Sequence, residues 1–220
     1  MDLWEVESGK QLRRFPEAKG LWDVVLSGDG RRMLTTHIDY KMRLWDVESG
    51  RELLRFGHPA VVSAVASPPE QRRALSTCWD KIVRLWDVDS GKELFRYEGH
   101  RNHVWGVAFA ADGSHAASSD DDGFVRLWEM TEAASTVRVL LRWHSSWVRS
   151  VAFSPDGKVL ASSGVDGRIL LWDVAAGTKL HEWQLPGPVP AVRFAPDGRH
   201  LAFANLNGTI YLLRLPALNR

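Results

Sequence analysis

One tripeptide limits what this chain can fold into: Leu-Trp followed by Asp or Glu, returning at near-constant intervals. Its Trp stands at Trp4, Trp45, Trp86, Trp128 and Trp172, in steps of 41 to 44 residues. A further step of 41 reaches Leu213, where GTIYLLRL matches the GRILLWDV of the preceding unit. Such self-similarity makes the chain an array of one supersecondary unit. A unit of that size cannot bury its apolar faces alone and must stack on its neighbours.

Each period reads as four short strands. In the unit ending at Trp172 they are Val148–Phe153, 158–163, 168–174 and Thr178–Gln184, separated by Ser-Pro-Asp-Gly at 154–157 and by the turn 164–167. These runs alternate or are rich in Val, Ile, Leu and Phe, and Gly with Asp marks the breaks, as hairpins need. Asp-Gly recurs at 29–30, 112–113, 156–157 and 197–198, with SPPEQ in its place at 67–71. No window sustains a helical period. The expected fold is all-β: about five four-stranded antiparallel blades packed radially, so that only short edges stay open. One domain is expected over 1–220, with units ending near Trp45, Trp86, Trp128, Trp172 and Leu213 and a partial blade at 1–15. Large third-strand residues such as Leu170 and Trp172 would fill the space between blades.

With this pattern on the page, the chain resembles the WD-repeat (WD40) β-propeller family over 2–215. Six residues before each Trp or its equivalent stand Asp39, Asp80, Asp122, Asp166 and Asn207. Four before the Asp residues stand Thr35, Ser76, Ser118 and Ser162, and twenty-two before the last three Asp stand His58, His100 and His144. The resemblance implies a buried chain of His, Ser/Thr, Asp and Trp locking each blade. Three sets are complete: His58–Ser76–Asp80–Trp86, His100–Ser118–Asp122–Trp128 and His144–Ser162–Asp166–Trp172. The first blade has Glu17 where His would fall. The last has Leu185, Phe203, Asn207 and Leu213, and is expected to be held by apolar packing alone.

Two readings of the ends stay open. In one, strand 11–15 pairs beside 209–215 and closes a five-blade ring, leaving 2–6 surplus. In the other, the chain is an arc of a longer propeller, with open edges that invite self-association.

The His, Ser and Asp of these sets invite a hydrolase reading. Repetition at the same spacing in several blades instead means architecture, since buried polar groups must be paired to be tolerated. The eight His show no HxH or HExxH and no pairing with the single Cys78. No metal, cofactor or nucleotide motif is present, so a non-enzymatic protein is expected. A net charge of +1, from 28 basic and 27 acidic residues, argues against a dedicated nucleic-acid or anionic-membrane surface. No leader pattern or membrane-length apolar run is seen, and one cysteine gives no intrachain disulfide, so the expected setting is cytoplasmic.

Propellers of the resembled family mostly serve as binding platforms, using the rim where the Gly-His loop enters the first strand and the second strand turns into the third. Three and five residues after the His or its equivalent lie Gly20 and Trp22, Val61 and Ser63, His103 and Trp105, Trp147 and Arg149, Pro188 and Pro190. Just before the turn Asp lie Ile38, Trp79, Asp121, Val165 and Leu206. Trp22, Trp79, Trp105 and Trp147 thus share one expected face, with His103, Asp121 and Arg149. Trp and Arg are enriched in interface hot spots. The structural alternative is that these Trp fill the central channel. Trp143 and Trp183 read as blade packing. The expected function is a scaffold that binds a protein or peptide on this face. The alternatives are a docking or sensor segment of a larger enzyme, as in WD-repeat segments fused to serine/threonine kinases in large bacterial proteins, and a nucleic-acid platform.

Overall fold

A computed structural model describes residues 1–15, 20–130 and 137–215, so Glu17 lies outside the described residues. Closely spaced turns leave room only for short strands, and all twenty-one elements among the described residues are strands. β1 (Asp2–Trp4) and β2 (Gln11–Arg14) form a hairpin. Five antiparallel meanders follow. The first blade is β3 (Leu21–Leu26), β4 (Arg32–His37), β5 (Lys41–Asp46) and β6 (Glu52–Gly57). The second is β7 (Val62–Ala66), β8 (Arg73–Cys78), β9 (Val83–Asp87) and β10 (Glu93–Tyr97). The third is β11 (Val104–Phe109), β12 (His115–Asp120), β13 (Phe124–Glu129) and β14 (Val137–Arg142). The fourth is β15 (Val148–Phe153), β16 (Val159–Gly164), β17 (Arg168–Asp173) and β18 (Thr178–Gln184). The fifth, among the described residues, is β19 (Ala191–Phe194), β20 (His200–Ala204) and β21 (Ile210–Arg214).

The apolar cores lie between blades. Leu127 and Val125 of the third blade meet Leu170 and Trp172 of the fourth. Trp128 packs against Leu75 and Tyr97 of the second, and Trp86 against Leu34 and Phe56 of the first. Each repeat Trp therefore fills the gap toward the preceding blade, and Leu213 does the same in the fifth, beside Leu171 and Ile169. A buried large apolar side chain is worth about 1.5–3 kcal/mol, so these interfaces hold the array together.

Successive first strands β3, β7, β11, β15 and β19 stand side by side. Residues from all five line one central cavity of about 200 Å³, from Trp22 and Asp23 in β3 round to Ala191 and Arg193 in β19. The arc thus curls until its first and fifth blades face the same space, and among the described residues no strand ladder joins its ends. Strand 11–15 does not pair with 209–215: β2 pairs with β1, and β21 with β20. The reason lies in the hairpin's apolar side. Phe15, 2% exposed, sits edge-on to Trp45 beside Met33 and Leu3. That contact seats the hairpin on the first blade, as the outer half of a preceding blade would sit.

Candidate functional site

A repeated irregularity builds the candidate face. In each of the first four blades the ladder between first and second strand skips one residue. The breaks fall between Leu21 and Asp23, Val62 and Ala64, Val104 and Gly106, and Val148 and Ser150. The residues left out are Trp22, Ser63, Trp105 and Arg149. A β-bulge frees its extra residue from the alternation and re-aims its side chain, here toward the cavity mouth. Trp22, Ser63, Trp105 and Arg149 all line the cavity.

A second repeated device sets the rim beside them. The amides of Ile38, Trp79, Asp121, Val165 and Leu206 donate to the carbonyls of Gly20, Val61, His103, Trp147 and Pro188, at 2.9 to 3.2 Å. All five blades make this bond. It clamps the loop entering the first strand to the end of the second strand, so side chains from the two stretches stand next to one another.

Together these devices gather the four Trp into one contact chain. Trp105 is its hub. Its ring centroid lies 5.7 Å from that of Trp22, 5.4 Å from Trp79 and 5.9 Å from Trp147, the last nearly parallel. Trp22 also meets Trp79 edge-on at 5.9 Å, and Trp79 stacks on His103 at 5.1 Å. Such aromatic pairs add about 0.5–1.5 kcal/mol each beyond area burial, so the cluster is stiff. Asp121, with its side chain 9% exposed, accepts a hydrogen bond from the Trp105 indole N–H, and its other oxygen lies 3.2 Å from His103 Nδ1. The Arg149 guanidinium lies 3.9 Å over the Trp105 ring. Trp22 and Trp147 remain 39% and 46% exposed, whereas Trp79 and Trp105 are half-buried. The channel-filling and surface readings thus divide the cluster: Trp105 lines the cavity mouth, and Trp147 faces outward. Trp79 Nε1 is buried without a hydrogen-bond partner. Away from this face, Trp143 is exposed under Lys179 Nζ at 3.9 Å, and Trp183 packs with Leu180 and Tyr211.

The interior His, Ser and Trp form hydrogen-bonded chains. The indoles of Trp45, Trp86, Trp128 and Trp172 donate to Thr35, Ser76, Ser118 and Ser162 Oγ at 2.8–2.9 Å. Nε2 of His58, His100 and His144 lies 2.6–2.9 Å from the same serine oxygens. The carboxylates vary. His144 Nδ1 meets Asp166 at 3.0 Å. His100 Nδ1 meets Asp120 at 2.7 Å, not Asp122, which is exposed and only 3.4 Å from Asn102 Nδ2. His58 Nδ1 donates to the Phe56 carbonyl instead, and Asp80 pairs with Arg84. In the first blade His37, on β4 itself, reaches Thr35 at 2.7 Å. The spacing rule did not point to His37, because it looked for a His upstream of the first strand.

These sets offer no reactive serine. Ser76, Ser118 and Ser162 are wholly buried, each already bonded to an indole and an imidazole. Burial pushes His58 down to about 4 and also lowers His100, so both imidazoles are neutral near pH 7. Burial likewise pushes the Cys78 thiol up to about 11, which leaves it inert. Among the described residues no group of three His, Cys, Asp or Glu is placed to hold a metal.

Compared with family models, the chain matches the one described as WD domain, G-beta repeat three times, at residues 50–87, 91–129 and 135–173, together more than half its length. No curated protein compared with the chain matches it. The matched stretches end at the third strands of the second, third and fourth blades, the ones whose His comes from the Gly-His loop or its equivalent.

Proposed function

The chain belongs to the WD40 repeat family, whose repeats generally act as protein-interaction scaffolds, and we propose that it docks a protein or peptide segment on the face bearing Trp22, Trp79, His103, Trp105, Asp121, Trp147 and Arg149. The observation that supports this most is the continuous four-Trp cluster, two of its members on β-bulges and two on the clamped rim, left part-exposed. A folded protein rarely leaves such a surface without a use. Stiff aromatic anchors also lose little conformational entropy on binding. Family members are typically non-catalytic, and the wholly buried serines of this chain agree with that role.

The test is selection of a random peptide display library on the wild type and on Trp105→Ala/Trp147→Ala. Peptides that bind the wild type and lose the double variant, with melting temperatures within a few degrees, support the reading. A collapse in melting temperature would make the two Trp structural. Retained binding would place the site elsewhere. Nucleic acid is the competing ligand class. Its binding would weaken steeply between 50 and 200 mM salt, as phosphate contacts do at about that range, whereas a Trp-anchored peptide would change little.

A further inference from the structure

Resting on that reading, we propose that the segment docked here presents an acidic side chain, Glu or Asp, to Arg149 at the mouth of the central cavity. Among the described residues, the three buried arginines each find a carboxylate: Arg43 with Asp39, Arg84 with Asp80 and Arg126 with Asp120. Arg149 is half-buried and has none. Its guanidinium lies over the Trp105 ring, with the Asp121 charge nearby, and no hydrogen bond or ion pair holds it among the described residues. The nearby carboxylates are already engaged. Asp121 takes the Trp105 indole N–H and faces His103. Asp23, across the cavity, accepts the Val65 and Val24 amides at 3.1 and 2.9 Å. Arg149 thus keeps a planar fork of N–H donors with no acceptor among the described residues, beside a cavity with room for one side chain.

Desolvating a guanidinium without a partner is costly, and a carboxylate matches its fork with two parallel hydrogen bonds. The bulge supplies the position and Trp105 holds the plane of the guanidinium, so little ordering remains to be done on binding. The charges around the cavity also disfavour a basic side chain. Arg149 already covers the Trp105 ring, and Arg193 lines the same space. Burial lowers the pKa of Arg149 against the opposing charge of Asp121, and burial raises that of Asp23, though the amides of Val65 and Val24 and the charge of Arg193 oppose this. The Arg149 direction is that of a buried cation with no carboxylate paired to it.

The experiment extends the display selection to Arg149→Gln and Arg149→Lys, with the library fused at its C-terminus so that only side-chain carboxylates are offered. Wild-type selection is expected to enrich Glu or Asp at one position beside apolar residues. Arg149→Gln abolishes that enrichment while the apolar preference stays. In synthetic peptides, Glu→Gln at the enriched position weakens wild-type binding about ten- to a hundredfold and leaves Arg149→Gln binding unchanged. Arg149→Lys, which keeps charge without the fork, falls between. The proposal is overturned by selected peptides without an acidic position, by acidic enrichment that survives Arg149→Gln, or by enrichment seen only in a second library with free C-terminal carboxylates. Each of these leaves the Trp platform standing. The platform itself fails if the selected peptides are indifferent to Trp105→Ala/Trp147→Ala.

Discussion

At the residue scale, the serine hydroxyl between indole and imidazole is the smallest unit with a measurable effect. In the third blade it serves both Trp128 Nε1 and His100 Nε2 in a wholly buried position. Ser118→Ala leaves both groups unsatisfied, at a cost of about 1–3 kcal/mol, and is expected to lower the melting temperature by several degrees in calorimetry. The imidazoles also set an acid limit. Burial holds His37 and His58 down at about 4, below the ordinary imidazole value of about 6.5. Between those values the unfolded chain binds protons at both positions and the folded chain does not. Stability is therefore present above about pH 6.5 and falls as pH drops toward 4. Urea midpoints at pH 7.5, 6, 5 and 4.5 should decrease in that order, and His58→Gln should flatten the slope. Spacing made the Trp–Ser links legible, because one period repeats with only small drift. In the third blade it picked Asp122, where the structure uses Asp120. That choice depends on the last residue of the second strand: Asp120 there reaches His100 directly, whereas the equivalent Gly164 leaves His144 to Asp166.

At the element scale, the first strand with its bulge does what an alternating strand cannot. Period-two reading sends every second residue to one side, so it could name Trp22, Trp105 and Arg149 as rim positions only through family resemblance. The reason they converge is the skipped register, which sequence patterning does not display. The second-strand end is equally constrained. A Cβ on Gly164 would lie 2.6 Å from the Trp147 carbonyl and 3.0 Å from His144 Nδ1. That carbonyl is the acceptor of the Val165 rim bond. Gly164→Ala should therefore cost about 1–3 kcal/mol through overpacking and displace Trp147. Melting and peptide binding should both drop, whereas Trp147→Ala, which loses one stacked pair, should reduce binding with a smaller fall in melting. If Gly164→Ala melts like the wild type, the rim is more pliable than this geometry allows.

At the scale of the whole molecule, stability should grade along the array. A repeat array is held by internal bonds plus nearest-neighbour interfaces, and the two are unevenly shared. The fourth blade has both neighbours, an intact His–Ser–Asp–Trp set, and a second strand buried from end to end. Among the described residues the fifth has one neighbouring blade and three strands, with Phe203 and Leu213 where the others carry Ser or Thr and Trp. Its packing rests on one side, where Phe203 stacks on Tyr211 at 5.1 Å against Leu180 and Trp183. On the other side Ile210 and Leu212 stand 76% and 79% exposed. Native-state hydrogen exchange should accordingly find the amides of β20 and β21 opening well below the global free energy, with those of β16 and β17 opening only with it. Equal protection in the two blades would mean that something beyond the contacts described here holds the fifth. The same bare residues make this edge a template for pairing. Leu212→Lys removes no buried contact, so it should leave melting nearly unchanged while reducing concentration-dependent association in light scattering. A melting temperature that rises with protein concentration in the wild type and not in Leu212→Lys would tie that association to this edge.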